Sequence, residues 1–240
     1  ARVSALVFSD DPSLAHAALR DAGVEAAGGS AAVVHIPCRG YPADTLYRYH
    51  YLARGAGEGG LLAADLVYYM DVDLLLHRTI GGAEMLPTRR RPLVAVRHPL
   101  QDGAGTPETR SESRAFIGAW EDRRCYLAGG LVGGRAPELL AMATTLAAQI
   151  DADDSRDVVA LWHDESHLNR YFVTHPLLFR VLPPSYLYPE GWHVPFAPRL
   201  LVQRIPHDDT RFRAERFVSA CRPLPGGSCG LGRGLPGALF

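Results

Sequence analysis

Lysine is absent from the 240-residue sequence: all 25 basic residues are arginine. Any contact to a phosphate must therefore come from arginine, histidine or backbone N–H groups. The same bias, with abundant alanine and glycine, reads as the imprint of a GC-rich bacterial genome. Net charge is lacking too. A formal −1 at pH 7 leaves no electrostatic footprint for nucleic acid or an anionic membrane. The four cysteines, Cys38, Cys125, Cys221 and Cys229, form no CxxC pair, which removes a zinc ribbon and makes reduced cytosolic thiols the expectation. No apolar run reaches the ~18 residues that a membrane span needs. No secretory leader is visible, so a soluble cytoplasmic bacterial protein is expected. The chain starts at Ala1 rather than Met and enters a strand-like run at once, as a trimmed chain or a fragment would.

What is present is ordinary for a globular enzyme. Hydrophobic residues make up 47% of the chain, enough for a proper core. Residues 1–222 read as one domain and residues 223–240 as a Gly/Pro-rich tail. Short apolar runs at 3–9, 32–36, 66–70 and 93–96 predict buried strands. Helical spacing covers 12–22, 43–54 and 137–150, with a shorter helix at 166–173 capped by Ser166. Strands alternating with helices predict an α/β fold with a mixed, mainly parallel central sheet flanked by helices. In such sheets ligands bind beyond the carboxyl ends of the strands.

Three constellations carry chemistry. Tyr68-Tyr69-Met70-Asp71-Val72-Asp73 ends an apolar strand with two carboxylates two residues apart, which point the same way and can share one ion. Hard oxygen ligands suit Mn²⁺ or Mg²⁺. A solvated turn is the bland alternative. A phosphatase is a third, but Leu75 stands where that chemistry needs threonine. Trp162-His163-Asp164-Glu165-Ser166-His167-Leu168-Asn169 packs two acids, two imidazoles, an amide and an indole into eight residues. A helix start explains the acids but not the aromatic residues. The four-residue spacing of His163 and His167 invites a zinc reading, a minor alternative since Asp164 stands where the zinc-protease pattern has glutamate. In Tyr126-Leu127-Ala128-Gly129-Gly130-Leu131-Val132-Gly133-Gly134, the paired glycines allow close approach of a ligand or of a neighbouring strand.

In this order the three segments resemble the family of the ABO blood-group transferases and α-1,3-galactosyltransferase, the family 6 retaining glycosyltransferases. The likeness runs from about residue 7 to 213. It implies a GT-A type nucleotide-sugar-binding fold and a UDP-sugar donor, with Mn²⁺ or Mg²⁺ as cofactor. It also implies retaining transfer of galactose or N-acetylgalactosamine to a glycan or other hydroxyl-bearing acceptor, forming an α-1,3 linkage. By the same resemblance, Asp71 and Asp73 hold the metal and diphosphate, with Val72 between them. Phe8, Asp10, Arg48, Ala128, Gly129, Gly130, His163, Asp164, His207 and Arg213 face the donor. His98, Tyr126 and Trp162 face the acceptor, and Glu165 is the catalytic carboxylate. His207 stands where the family has a phosphate-binding lysine, and the family's strand before Val7 has no counterpart. Those departures keep two other expectations open, a nucleotide-sugar- or carbohydrate-binding pseudoenzyme and a UDP-sugar hydrolase.

Overall fold

The apolar run that Asp10, Asp11 and Pro12 close forms strand β1 (Ser4–Ser9). The Asp11 side chain caps the next helix, α1 (Pro12–Asp21), by accepting the Leu14 N–H at 2.9 Å. That helix is the crossover to β2 (Ser30–His35), which pairs parallel with β1. A computed structural model describes residues 3–24, 28–57, 60–99, 105–191 and 196–202. The helix expected over 43–54 is interrupted at Tyr47, giving α2 (Ala43–Leu46) and α3 (Arg48–Gly57). Strand β3 (Leu66–Met70) matches its expected span and is followed by a short β4 (Leu74–Leu76). Then come β5 (Leu93–Arg97), β6 (Leu127–Arg135), α4 (Ala136–Asp154) and α5 (His163–Thr174). The chain continues through β7 (Phe179–Leu182), β8 (Tyr188–Pro189) and β9 (Leu200–Val202).

The fold is mixed α/β, and the mainly parallel sheet is corrected. The four-stranded sheet runs β3-β6-β5-β7, with β6 antiparallel to both β3 and β5 and only β5–β7 parallel. The strand–helix alternation that argued for parallel pairing holds for β1–α1–β2. Beyond β3, no helix lies between β5 and β6 among the described residues, and β6 pairs antiparallel with β5. The strands β4-β9-β8 form a third sheet, and β1-β2 is a pair of its own.

Alternation along β5 divides the core. Leu93 and Ala95 face a cluster with α3, α4 and α5, built on Leu139, Met142, Leu146 and Leu168. Val94 and Val96 face the other side, with Ala128, Leu131, Leu187 and Leu200. The paired glycines are explained in part by packing. A Cβ at Gly133 would meet the Tyr68 ring at 2.2 Å, and one at Gly134 the Pro92 carbonyl at 2.2 Å. Helix α5 begins earlier than expected. Ser166 lies fully buried inside it, and its hydroxyl accepts the Trp162 N–H at 2.9 Å, so Asp164 and Glu165 occupy the first turn. Acids are favoured there by the helix dipole. Cys38 is disulfide-bonded, against the expectation of reduced thiols, and Cys125 is the free cysteine among the described residues. Among those residues no helix is long and apolar enough to cross a membrane.

Candidate active site

A break in the ladder between β5 and β6 opens the site. Ala95 pairs with Val132 but its neighbour Val96 pairs with Ala128, so residues 129–131 have no partner on β5. Such bulges free backbone groups for other bonds. Here the Gly129 N–H donates to Glu165 Oε2 at 2.8 Å, and the Gly129 carbonyl accepts from Arg48 Nη1 at 2.8 Å. Across the strand, the Gly130 carbonyl accepts the Asp71 N–H at 2.9 Å. The strand end carrying the acids is thereby fixed to the bulge.

Arg48, the first residue of α3, is 7% exposed and ties three segments together. Its Nη1 lies 3.2 Å from Asp71 Oδ1 and its Nε 3.0 Å from Asp164 Oδ2. Nε also donates to the Thr45 carbonyl at 3.2 Å, and the guanidinium sits 4.9 Å above the Tyr69 ring. Burial works against its charge, but Asp164 and Asp71 more than offset it and raise its pKa. Burial raises the Asp164 carboxyl while Arg48 opposes it. A guanidinium does not deprotonate, so the pair is ionised. Removing one partner of a buried pair strands the other. Arg48→Ala should therefore cost about 3–5 kcal/mol of stability, read from the urea midpoint, and adding Asp164→Asn should recover part of it. An unchanged midpoint in the single variant contradicts this account.

A cavity of about 200 Å³ lies in front of the bulge, lined by Asp71, Asp73, Ala128, Gly129, Gly130 and Glu165 among others. Asp71 Oδ1 accepts the Tyr69 hydroxyl at 2.7 Å. Asp73 Oδ1 is buried without a hydrogen-bond partner, and burial followed by the neighbouring Asp71 charge raises its pKa. Two adjacent carboxylates, one with an orphaned oxygen, fit a hard divalent cation in ligand type. Among the described residues no group of three or more His, Cys, Asp or Glu side chains that could hold a metal ion is found. A Cβ at Gly130 would meet Asp71 Oδ2 at 2.9 Å and Leu187 Cδ1 at 3.2 Å, so glycine keeps the Asp71 carboxylate in place.

His98 also lines the cavity, with its N–H on the Tyr126 carbonyl at 2.8 Å. Burial lowers its pKa to about 4, which leaves the ring neutral at pH 7. The remaining expected residues stand off the lining. Tyr126 is 2% exposed beneath it, with its hydroxyl toward Glu165 and Ser166. Trp162 precedes α5, and His163, at φ 47°, meets the Tyr41 ring edge-on at 5.2 Å. Val72 is fully exposed. Phe8 stacks on Tyr51 at 5.9 Å and Asp10 is exposed, so neither enters the cavity. His207 and Arg213 lie outside the described residues.

Sequence reasoning missed the apolar part of the lining, Leu74, Pro99, Leu187, Pro189 and Val202. Its strands are two or three residues long, too short for a periodic signal. It also gave no task to Asn169, whose side chain bonds both backbone groups of Leu127, at 2.7 and 2.9 Å, and pins α5 to β6.

Residues 59–208 match glycosyltransferase family 6. The chain belongs to that family. The match takes in both carboxylates at the end of β3, the bulge of β6 and the first turn of α5. Among the relatives of this family 6 chain is globoside α-1,3-N-acetylgalactosaminyltransferase 1 of Gallus gallus. It is 30% identical over 156 residues, covering 63% of this chain and 43% of the relative. The histo-blood group ABO system transferase 2 of Rattus norvegicus is 33% identical over 135 residues, 53% of this chain and 38% of its own. The α-1,3-galactosyltransferase 2 of Homo sapiens is 32% identical over 154 residues, 62% and 42% respectively. The chain spans less than half the length of these relatives.

Proposed function

We propose that this chain is a retaining, metal-dependent glycosyltransferase of GT-A type. It moves galactose or N-acetylgalactosamine from a UDP-sugar to a sugar hydroxyl, forming an α-1,3 linkage. The observation that carries the reading is the Glu165 carboxylate, held by the Gly129 N–H in the wall that Asp71 and Asp73 also line. One cavity thus brings a carboxylate for the anomeric carbon beside a pair suited to a diphosphate-bound ion. Asp71 and Asp73 would hold Mn²⁺ or Mg²⁺, which when bound neutralises charge building on the departing diphosphate. Ala128 and Gly130 line the cavity where the donor sugar would lie, the space a Cβ at Gly130 would take being filled by Asp71 and Leu187, and neutral His98 offers a hydrogen bond to an acceptor hydroxyl. Glu165 serves either as an ester-forming nucleophile or as a fixed charge beside an oxocarbenium-like centre. Both roles require its ionised form.

That requirement sets a pH profile. Burial pushes the Glu165 carboxyl up to about 8, with Asp164 adding to the rise while the Gly129 N–H, Arg48 and Tyr126 oppose it. Since only the carboxylate acts, kcat/KM should fall about tenfold per pH unit below that value and level off above it. A flat profile between pH 6 and 9 would contradict the assignment.

The activity itself is tested by incubating the chain with UDP-galactose or UDP-N-acetylgalactosamine, Mn²⁺ and a panel of glycan acceptors, then determining the products and the anomeric configuration. An α-linked product supports the reading. Free sugar alone with every acceptor replaces it with a hydrolase. Binding of UDP without turnover replaces it with a pseudoenzyme.

A further inference from the structure

Two buried carboxylates outside the cavity fasten the connection that leads into α5. Glu108 is 1% exposed and lies between β5 and β6. Its Oε1 accepts from the Arg110 backbone N–H at 2.8 Å and from Arg110 Nε at 3.0 Å. Its Oε2 accepts from Arg110 Nη2 at 2.5 Å and from the Leu161 N–H at 2.7 Å. The same Nη2 donates to the Val159 carbonyl at 2.7 Å. Carboxylate and guanidinium together therefore grip two residues of the segment that ends at Trp162. Asp153, 2% exposed at the end of α4, holds the other side of the loop. It accepts the Ser113 hydroxyl at 2.6 Å and the Arg114 N–H at 2.8 Å. His167 of α5 is buried against it, with Nε2 3.7 Å from Asp153 Oδ2.

Burying a carboxylate is costly and is tolerated only with full pairing, and Glu108 has all its partners in one place. Neither Glu108 nor Asp153 lines the cavity. The bond to Leu161 does reach it indirectly, because the next residues are Trp162 and the first turn of α5, which bears Asp164 and Glu165. The other end of the cavity has anchors of its own, besides the Arg48 ion pairs that join Asp71 to Asp164. Asp71 is fixed through its own N–H to Gly130 and through the Tyr69 hydroxyl.

We propose that Glu108 is a positioning residue for sugar transfer: by holding Leu161 and, through Arg110, Val159, it sets where the first turn of α5 places the Glu165 carboxylate. This rests on the reading of Glu165 as the group at the reacting carbon. A displacement of about 1 Å at a reacting group can lower the rate on the order of a hundredfold, whereas the grip on the diphosphate is built on β3 and should not move.

The test compares Glu108→Ala and Glu108→Gln by steady-state kinetics and by hydrogen exchange. Glu108→Ala should lower kcat on the order of 10- to 100-fold with donor KM within about threefold of the native value. Glu108→Gln retains an oxygen for the Leu161 N–H but turns an NH2 toward the Arg110 donors, so it should recover part of the lost kcat. Amide exchange in the peptide covering residues 158–166 should quicken in Glu108→Ala and less so in Glu108→Gln, with β5 and β6 unchanged. Native kcat in Glu108→Ala, a loss confined to donor KM, or a glutamine variant as poor as alanine overturns the proposal. So does unchanged exchange at 158–166, a readout that holds even if the native chain transfers no sugar, an outcome that removes the transferase reading alone. Where Glu108→Ala does not fold, Glu108→Asp takes its place. It keeps the charge but withdraws it from Leu161 by one methylene, and the same results decide.

Discussion

Replacing Glu165 with either alanine or glutamine should lower sugar transfer about a thousandfold while leaving UDP binding near native. The size follows from one unit charge acting at ~4 Å, worth about 4 kcal/mol at an effective dielectric of ~20, and each ~1.4 kcal/mol is tenfold in rate. The pair of variants separates charge from shape. Glutamine still offers an oxygen to the Gly129 N–H that now bonds Glu165 Oε2, so the bulge and the helix start should keep their places. Alanine loses that bond as well. If the carboxylate acts by its charge, the two variants fail alike in kcat and differ only in stability. Retained transfer in Glu165→Gln would remove the charge from the mechanism.

The second large effect is expected at Asp73. Asp73→Asn should abolish the metal-dependent part of UDP binding, weakening it more than about a hundredfold in a calorimetric titration with Mn²⁺. The same substitution should leave the melting temperature unchanged or raise it. Burial and the neighbouring Asp71 charge both raise the Asp73 carboxyl pKa, and its Oδ1 has no hydrogen-bond partner. A carboxyl whose pKa is higher in the folded protein than in the unfolded chain weakens the fold as pH rises above the unfolded value. An uncharged isostere removes that penalty. Loss of binding with a stable fold therefore marks a residue kept for its ligand. Unchanged titration heat in Asp73→Asn would take Asp73 out of the metal site.

The contrast between these residues shows what local pattern can and cannot disclose. β3 was legible to the residue because a short apolar run closed by two acids is a local feature. The acids of α5 were legible as a cluster, yet the helix start was not. Ser166 was the obvious cap by type, but its hydroxyl instead serves the Trp162 N–H from inside the helix. The hub at Arg48 was expected to face the donor. Its bonds run to Asp71, Gly129 and Asp164, partners that only the folded chain brings near. Glu108 gave no signal, because a buried acid in a polar loop looks like a solvated one until Arg110 and Leu161 are seen around it. The antiparallel course of β6 was likewise hidden. Glycine-rich strands carry little alternation, and the direction of return depends on a connection whose path no local rule fixes.

The bulge at Gly129 has a further consequence. One residue receives Arg48, and through it Asp71, on its carbonyl, and Glu165 on its N–H. Gly129 therefore couples the two ends of the cavity: a displacement of this one residue carries Asp71 and Glu165 with it, while the first turn of α5 still sets the point at which Glu165 meets it.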